Sequence, residues 1–324
     1  MTDRKNQIKP FLAGKEPVED IDTGSENSRE QEYEGAGQGA RDQDQGHAMA
    51  PGLEGVIRLY DSFLKQVKLG DDSHNHGVFS NLVSSLKGHY SQEFIQEFLD
   101  YASAYDELEN FVETGTFLSG LLGKRDSDNV TLKMGYKIPV ANIVNSLNKG
   151  YLKIEGDVGD GLGRDGGGGS IHIEGNAGNF VGRYMHDGLI EITGNAKSFV
   201  GYKMHEGAVR IRGNVEECLG NGMSGGEIII GGGCGDKLGA EMTGGKILVE
   251  GTTCVKIGEL MTGGVIEVKG RSKGVAISKI GGGMKGGEII LKTDMDDVYF
   301  KKYKIADTME GGKIWNNGKI VVLK

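Results

Sequence analysis

Glycine recurs with a 19-residue period through the second half of the chain, and this period restricts the fold more than any other feature. The glycines that follow each apolar segment serve as anchors and are evenly spaced: Gly156, Gly175, Gly194, Gly213, Gly232, Gly251 and Gly270. A strict period of this length indicates one structural unit per repeat, stacked so that each coil buries its apolar residues on its neighbours. The sequence therefore predicts a solenoid.

Three further positions keep the same phase. Seven residues after the anchors stand the turn glycines Gly163, Gly182, Gly201, Gly220, Gly239 and Gly258. Ten residues after the anchors stand Met185, Met204, Met223, Met242 and Met261. Thirteen residues after the anchors stand Gly169, Gly188, Gly207, Gly226, Gly245 and Gly264. Each coil closes on an alternating apolar pair such as Ile190 and Ile192. We expect these pairs to form parallel strands about 4.8 Å apart, with the methionines filling a corner. The glycines are predicted to mark sharp turns or positive φ angles.

Other repeat architectures fit this pattern less well. With 57 glycines but only 4 prolines, and a fixed glycine period, neither collagen nor a loose linker is indicated. A leucine-rich repeat requires an L-x-x-L-x-L pattern with an asparagine ladder, which is absent, and a hexapeptide left-handed helix requires a period of 18. Calcium-binding nonapeptide repeats require regular aspartates, whereas the Asp and Asn residues here look scattered.

The two ends of the repeat are less regular. Residues 135–155 keep part of the phase and are predicted to form a degenerate first coil. At the other end, Gly270 and Gly287 are seventeen residues apart where thirteen are expected, which indicates a four-residue insertion around the sequence GGGMKGG at 281–287. Residues 292–324, with Tyr299, Tyr303 and Trp315, are predicted to cap a solenoid that spans 130–324.

Residues 1–129 differ in composition from the solenoid. Residues 1–52 are polar and acidic and are predicted to be disordered, because they cannot bury enough apolar surface to offset the entropy of ordering. Residues 53–129 contain three apolar stripes at helical spacing and are predicted to form a small helical domain. The stripes are Val56, Leu59, Tyr60, Phe63, Leu64, Val67; Val78, Phe79, Leu82, Val83, Leu86, ended by Gly88; and, after the N-cap Ser91, Phe94, Ile95, Phe98, Leu99, Ala102, Tyr105, Leu108, Phe111. Either this domain packs on itself and on the solenoid, or its aromatic face grips another subunit.

Charge and cysteine content exclude several classes of protein. The formal net charge of −9 and the lack of a basic block argue against nucleic-acid binding. No apolar stretch is long enough for a membrane span, and the N-terminus has no signal-peptide core. The three cysteines, Cys218, Cys234 and Cys254, form neither a disulfide framework nor a CxxC pair, which favours a reducing, cytoplasmic setting.

The search for chemistry singles out one pair of side chains. His186 and His205 occupy the same slot of adjacent coils, beside Asp187 and Glu206, and are expected to stack as an exposed polar ladder. Metal binding or acid–base chemistry at this ladder is the alternative, although two histidines do not complete a metal site. Cys234 and Cys254 are interpreted as small apolar fillers. No Rossmann fingerprint, P-loop or nucleophile constellation is present, so we predict no catalytic, cofactor-binding or metal-binding residue.

The repeat resembles the GXGXG β-helix family. The resemblance rests on residues 175–194 (GNAGNFVGRYMHDGLIEITG), 213–232 (GNVEECLGNGMSGGEIIIGG) and 235–251 (GDKLGAEMTGGKILVEG), and it covers about 130–291. Members of that family are the C-terminal domain of the large (alpha) subunit of glutamate synthase and the C subunit of formylmethanofuran dehydrogenase. Residues 115–120 (GTFLSG) are also similar to the segment that leads into the glutamate synthase solenoid.

This resemblance implies a right-handed, single-stranded parallel β-helix with a structural role in organising subunits. In both relatives the chemistry belongs to other domains or subunits. Here position 2 is Thr and not the cysteine nucleophile of the amidotransferase, and no flavin-binding synthase domain or iron–sulfur cysteine set is present. We therefore expect protein subunits as partners, with a glutamate synthase-like complex, a formylmethanofuran dehydrogenase-like complex and a stand-alone descendant all open. An enzyme or metal-binding protein that uses His186 and His205 is the competing hypothesis.

Overall fold

A computed structural model of the full chain describes residues 52–66, 78, 81–103, 111–135, 140–143, 147–253, 256–272, 280–293 and 308–324. The predicted disordered region 1–52 lies outside these residues except for Gly52. So do Val67, Phe79, Tyr105, Leu108, Cys254, Tyr299 and Tyr303 of the sequence analysis.

The described elements are three helices followed by eleven strands. The helices are α1 (Leu53–Gln66), α2 (Gln92–Ser103) and α3 (Phe111–Gly123), and residues 81–85 are also helical. The strands are β1 (Asn129–Met134), β2 (Tyr151–Gly156), β3 (Gly167–Glu174), β4 (Asp187–Ile192), β5 (Ala208–Ile211), β6 (Glu227–Ile230), β7 (Lys246–Val249), β8 (Val265–Ser272), β9 (Lys285–Thr293), β10 (Gly311–Asn316) and β11 (Lys319–Leu323).

The strands form one sheet in chain order, which is the topology of a solenoid. Strands β1 to β10 pair in parallel, each with the next, and β11 folds back antiparallel on β10. From β2 to β8 the partners are one repeat period apart, as in the pairing of Ile190 with Val209. The predicted fold class, a mainly β, parallel solenoid with 19-residue coils, is confirmed.

The predicted apolar pairs point into the solenoid. Alternation along each strand directs one set of side chains inward and the other outward. The inward residues are at most 4 % exposed: Leu152, Ile154, Ile171, Ile173, Ile190, Ile192, Val209, Ile211, Ile228, Ile230, Ile247, Val249, Ile266, Val268, Ile289 and Leu291. Burying each such side chain stabilises the fold by roughly 2 kcal/mol. The coils are therefore held together by a dry apolar interior.

The predicted methionine ladder is buried and longer than expected. Met185, Met204, Met223, Met242 and Met261 are at most 2 % exposed, and Met284 and Met309 continue the column. Thioether side chains are flexible enough to fill the irregular space at a corner of each coil. A methionine therefore fills the same corner in the last coils, beyond the regular repeat.

The glycine columns serve two different purposes. Gly201, a turn glycine, has a φ of +66°, as the prediction of positive φ requires. The anchors Gly175, Gly194, Gly213, Gly232 and Gly251 lie at bends without a positive φ, which agrees with the alternative of a sharp turn. Their glycine is needed because adjacent coils approach closely: a β-carbon on Gly194 would lie 2.5 Å from the carbonyl oxygen of Gly175.

The ends of the solenoid depart from the period, as predicted, but the place of the insertion was wrong. Ile266 pairs with Ile289, four residues beyond the period, which confirms the predicted length of the insertion. However, the amide of Gly281 donates to the carbonyl of Ile257 at 2.8 Å, just as Gly258 donates to Leu238 in the preceding coil. The GGGMKGG segment therefore keeps the phase, and the extra residues precede Ile280. The run of glycines at 281–287 suggested that the insertion lies there, whereas the insertion precedes this run.

The other departures lie at the two outermost coils. Val130 pairs with Leu152, three residues beyond the period, so the first coil begins with β1 and is slightly longer than the repeat. At the other end Ile289 pairs with Ile314, six residues beyond the period. Within the predicted cap, β10 continues the parallel sheet and β11 returns along it, which places a hairpin at this end of the solenoid.

Helix α2 covers the free edge of β1. The amides of Thr131 and Lys133 donate to the side-chain oxygens of Gln92 and Gln96 at 2.7 and 2.8 Å. Ser91 caps this helix, as predicted, by accepting a bond from the amide of Phe94 at 3.2 Å. Because exposed strand edges template further pairing, this helix closes one end of the sheet.

Three of the described aromatic residues of the helical region pack inside it. Tyr60, Phe98 and Phe117 are at most 2 % exposed, with ring centroids 5.0 to 5.3 Å apart. Tyr60 also hydrogen-bonds Thr114 at 2.8 Å. These rings are therefore not available to grip another subunit, and the helical core is continuous with that of the solenoid.

Helix α3 is an element that periodicity did not reveal. It is apolar on most sides and lacks a stripe, because it is buried between the other helices and the first coil. Gly115 allows the close approach, since a β-carbon there would overlap the carbonyl group of Ala141. Ser119 donates to the carbonyl of Gly115 at 2.7 Å and approaches that of Asn142 at 3.1 Å. The GTFLSG segment thus lies within a helix that packs the helical region against the solenoid.

Candidate functional site

The predicted histidine ladder exists and is exposed. The imidazole rings of His186 and His205 stack with centroids 4.7 Å apart and planes inclined by 8°. Nδ1 of His205 lies 3.0 Å from Oγ of Ser224, the residue in the same slot of the following coil. Parallel stacked rings direct their nitrogens side by side, so the pair does not converge on one ion. Among the described residues, no group of three or more His, Cys, Asp or Glu side chains could hold a metal ion.

The two described cysteines are buried and unpaired with each other. Sγ of Cys234 donates to Oγ1 of Thr253 at 3.4 Å, within a column of small inward residues. Burial raises the pKa of the Cys218 thiol, which lowers its nucleophilicity. Cys234 therefore has the role of a small filler that the sequence suggested, and Cys254 lies outside the described residues.

An asparagine ladder follows the anchor glycines, so the expectation that such a ladder is absent is wrong. Oδ1 of Asn176 accepts the amide of Asn195 at 2.9 Å, Oδ1 of Asn195 accepts that of Asn214 at 2.8 Å, and Asn214 accepts that of Gly233 at 2.8 Å. Asp157 starts the ladder by accepting the amide of Asn176 at 2.7 Å. The signal that could have revealed it is a Gly-Asn pair at the 19-residue period, which the apolar positions of the repeat overshadow.

A second polar ladder runs three residues further along each coil. Oδ1 of Asp160 accepts the amide of Asn179 at 2.7 Å, Oδ1 of Asn179 accepts that of Ser198 at 3.0 Å, and Oγ of Ser198 accepts that of Glu217 at 3.3 Å. These bonds satisfy backbone donors where the chain turns and strands do not pair. Most of the polar residues that recur with the repeat therefore stabilise the coils by accepting hydrogen bonds from backbone amides.

The outer face of the sheet carries a shallow groove of about 240 Å³. Its lining is His172, Glu191, Ile192, Thr193, Arg210, Ile211, Arg212, Ile229 and Gly231. Glu191 lies 3.6 Å from Nδ1 of His172 and 3.4 Å from Arg210, so its carboxylate offsets the charge of one of the two arginines that line the groove.

A second surface feature combines aromatic and cationic side chains on one edge of the coils. We define it as the aromatic–cationic corner, made by Phe180, Arg183, Tyr184, Phe199, Tyr202 and Lys203. The rings of Phe180 and Phe199 stack at 5.0 Å with planes inclined by 15°. The guanidinium carbon of Arg183 lies 4.7 Å from the ring centre of Tyr184 and 5.3 Å from that of Phe180.

The corner is electropositive. The nearby Arg183, which donates a hydrogen bond to the Tyr184 hydroxyl at 3.2 Å, lowers the pKa of that phenol, and the charges of Lys203 and Arg164 act in the same direction. Lys203 places its ammonium 5.4 Å from the ring centre of Tyr202. Within the described part of the chain, neither Arg183 nor Lys203 forms an ion pair with a carboxylate. The corner therefore presents uncompensated positive charge on a chain of net charge −9.

The corner also contains backbone strain. Phe180 and Phe199 have φ angles of +61° and +63°, in a region that favours glycine. Such conformations cost of order 1 kcal/mol or more each and persist only where surrounding structure imposes them. Sequence reasoning missed this site, although Phe-Val-Gly recurs at 180–182 and 199–201 with the correct period. In chemical terms the corner can bind, by ring contacts and charge, a partner that carries carboxylates.

A family model described as the GXGXG motif matches residues 127–319, more than half of the chain. No curated protein matches this sequence. Among the described helices, none is long and apolar enough to cross a membrane. The matched span begins just before β1 and ends at the first residue of β11, so it contains all the parallel strands β1 to β10, and the chain belongs to the GXGXG motif family.

Proposed function

We propose that this chain is a non-catalytic structural subunit that organises partner subunits of an oxidoreductase or amidotransferase complex of the glutamate synthase type. The proposal includes a reducing, cytoplasmic setting, in which the buried thiols of Cys218 and Cys234 stay unoxidised. Membership of a formylmethanofuran dehydrogenase-like complex is the alternative, and the identity of the partners separates the two.

One observation carries the proposal: the repeat positions of the coil are used for packing. Inward strand residues and the methionine column are almost fully buried. The polar ladders beginning at Asp157 and Asp160 bond to backbone amides. Among the described residues the histidine pair stacks and does not assemble a metal site. What remains for function is the outer surface of a rigid rod, which suits the binding of other proteins.

The closed end of the sheet supports the same proposal. Helix α2 bonds to β1 through Gln92 and Gln96, which removes one edge from unwanted pairing. A solenoid capped in this way presents its long faces and not its end to other molecules. Such faces are typical binding surfaces of repeat proteins.

The test is native purification of the full chain from its own source, followed by mass spectrometry and measurement of the complex mass. We expect a stoichiometric complex that is heavier than the 34.6 kDa chain and contains subunits with catalytic domains. A partner that carries a flavin-binding synthase domain would favour the glutamate synthase type, whereas partners with the sequences of other formylmethanofuran dehydrogenase subunits would favour the alternative. A lone 34.6 kDa monomer in the native extract would overturn the proposal.

Two variants make the purification specific. Ile228→Asp places a charge in the dry interior, and we expect it to unfold the coil and release the partners. His186→Ala with His205→Ala alters only exposed rings, and we expect the complex and its activity to persist. Loss of activity in an intact complex with the histidine variant would instead support chemistry at the ladder.

A further inference from the structure

The aromatic–cationic corner places partly exposed rings beside cations on two adjacent coils. Phe180, Tyr184, Phe199 and Tyr202 are each partly exposed, and Lys203 is exposed. Tyrosine and arginine are, with tryptophan, the side chains that contribute most to the binding energy of protein interfaces. They do so because each supplies apolar area together with a polar or charged group. The corner therefore has the composition of a protein-binding surface.

One slot of the coil changes its charge along the corner. Asp165, Tyr184 and Lys203 occupy this slot in three successive coils. In the first of these coils, Arg164 forms an ion pair with the neighbouring Asp165 at 3.2 Å. Arg183 is the equivalent of Arg164 one coil later, but its neighbour is a phenol, and the next residue in the slot is a lysine. Among the described residues, the corner thus has no counterpart of the carboxylate that the preceding coil supplies.

The two cations are already ordered in the free chain. The guanidinium carbon of Arg183 lies 4.7 Å from the ring centre of Tyr184 and 5.6 Å from that of Tyr202. The stem of Lys203 lies over Gly222, since a β-carbon on that glycine would be 3.1 Å from Cγ of Lys203. A side chain that is already held in place loses less conformational entropy when it pairs with a carboxylate. The corner is therefore preorganised for an acidic ligand.

Charge and spacing limit the size of that ligand. The net charge of −9 repels an extended polyanion such as a nucleic acid, which would run beyond the corner. A short acidic segment senses mainly the charges within about 8 Å, the screening length at physiological salt. Arg183 and Lys203 are one coil and one residue apart, so their α-carbons are separated by roughly 6 Å. Alternate residues of an extended chain are about 7 Å apart, so two carboxylates of one short segment can reach both cations.

We propose that the aromatic–cationic corner is the docking site of a short acidic segment of a partner protein. Carboxylates of the segment pair with Arg183 and Lys203, and an apolar side chain beside them packs on the stacked rings of Phe180 and Phe199. The inference rests on the proposed function, because it assigns the partner subunit a place on the solenoid.

Titration of the full chain with a synthetic peptide, followed by nitrogen-edited NMR of the arginine side chains, tests the proposal. The peptide has four glutamates around one phenylalanine, and its matched control has four glutamines. The Arg183 resonance is identified by its loss in Arg183→Gln. We expect this resonance to shift to saturation with the glutamate peptide only, and binding to weaken about tenfold at about 0.5 M salt. Equal responses to the two peptides, or a larger shift of Arg212 than of Arg183, would overturn the proposal.

Lys203→Gln removes one cation and leaves Arg183 as the reporter. Because Lys203 is exposed, we expect an unchanged melting temperature and about threefold weaker binding of the glutamate peptide. Lys246→Gln, an exposed change on strand β7, should leave the affinity unaltered. Unchanged affinity in Lys203→Gln would contradict the proposal. Tighter binding of a single-stranded oligonucleotide of equal charge would contradict it as well.

Native purification separates this inference from the proposed function. We expect the wild-type chain and the control variant Arg212→Gln with Lys246→Gln to retain the partner. Arg183→Gln with Lys203→Gln should release it at a lower salt concentration. A complex that is equally stable in this corner variant would overturn the inference and leave the proposed function standing. A lone wild-type monomer of 34.6 kDa would overturn both, even where the peptide binds.

Discussion

The terminal methyl of Met204 occupies the space that a side chain on Gly226 would need. A β-carbon on Gly226 would lie 2.8 Å from Cε of Met204, in the preceding coil. The same relationship recurs along the solenoid, at 2.7 Å for Gly245 with Met223 and 2.6 Å for Gly287 with Met261. The methionine and the glycine thirteen residues after the anchor are therefore one packing unit, shared between two coils.

Gly226→Ala is expected to destabilise the solenoid by about 2 kcal/mol and to lower the melting temperature by roughly 5 °C. The alanine would be strained at a φ of +81° and would press on Cε of Met204. Circular dichroism melts measure the effect. Gly282→Ala is the matched control, since nothing lies within 4 Å of a β-carbon there. A smaller penalty in a Met204→Ala background is expected, and full additivity of the two changes would argue against the packing unit.

Asn195→Ala is expected to cost about 1 kcal/mol, because the amide of Asn214 loses its acceptor at 2.8 Å. Asn195→Asp keeps the oxygen and should retain most of the stability. Thermal melts of both variants, with Lys197→Ala as a nearby exposed control, measure the difference. If Asn195→Ala has the same melting temperature as Lys197→Ala, the ladder does not stabilise the coil.

Replacing Gln92 and Gln96 with alanine is expected to open the edge of β1. The amides of Thr131 and Lys133 would lose their acceptors and should exchange with deuterium about tenfold faster. Hydrogen exchange read on peptides that cover β1 measures this. Glu93→Ala changes an exposed residue of the same helix and should leave the rates unaltered. Unchanged rates in the double variant would show that the helix does not protect the edge.

Tyr90 is expected to make the fold sensitive to alkaline pH. Burial raises the pKa of Tyr90 from 10.0 to about 12. Its contribution to stability is fully present below pH 10 and is lost as pH rises towards 12, because the unfolded chain releases the proton first. At pH 11 the loss is of order 1 kcal/mol.

The matched variant for this prediction is Tyr90→Phe, which has no proton to release. The Tyr90 hydroxyl is buried without a hydrogen-bond partner among the described residues, so its removal should cost little at pH 7. Urea unfolding at pH 9 and pH 11 compares the two proteins. Parallel losses of stability in both would show that Tyr90 is not responsible.

The strands, the inward residues and the methionine column could be predicted because each depends on a local pattern that the sequence repeats. Alternation puts Ile190 and Ile192 on one face whatever the neighbouring coil does. The place of the insertion could not be predicted, since only the bond from Gly281 to Ile257 reveals which glycines keep the phase. Helix α3 escaped detection because a helix buried on most sides has no stripe.

The candidate site divides in the same way. The stacking of His186 on His205 followed from their shared slot in the repeat. The aromatic–cationic corner was missed, although its members occupy equivalent positions of two adjacent coils. The residues of different positions, such as Phe180 and Tyr202, meet only because the turns take their left-handed conformation.

Period and alternation are properties of the chain, so the solenoid, its 19-residue coil and its inward-facing side chains could all be predicted from the order of the residues. Only the packing of the coils shows which glycines are required by a close approach of two coils and which by a positive φ. It also fixes the bond from the amide of Asn214 to Asn195 and the position of Arg183 over the ring of Phe180. These depend on distances between residues that belong to different coils. Such distances are set only when one coil packs against the next.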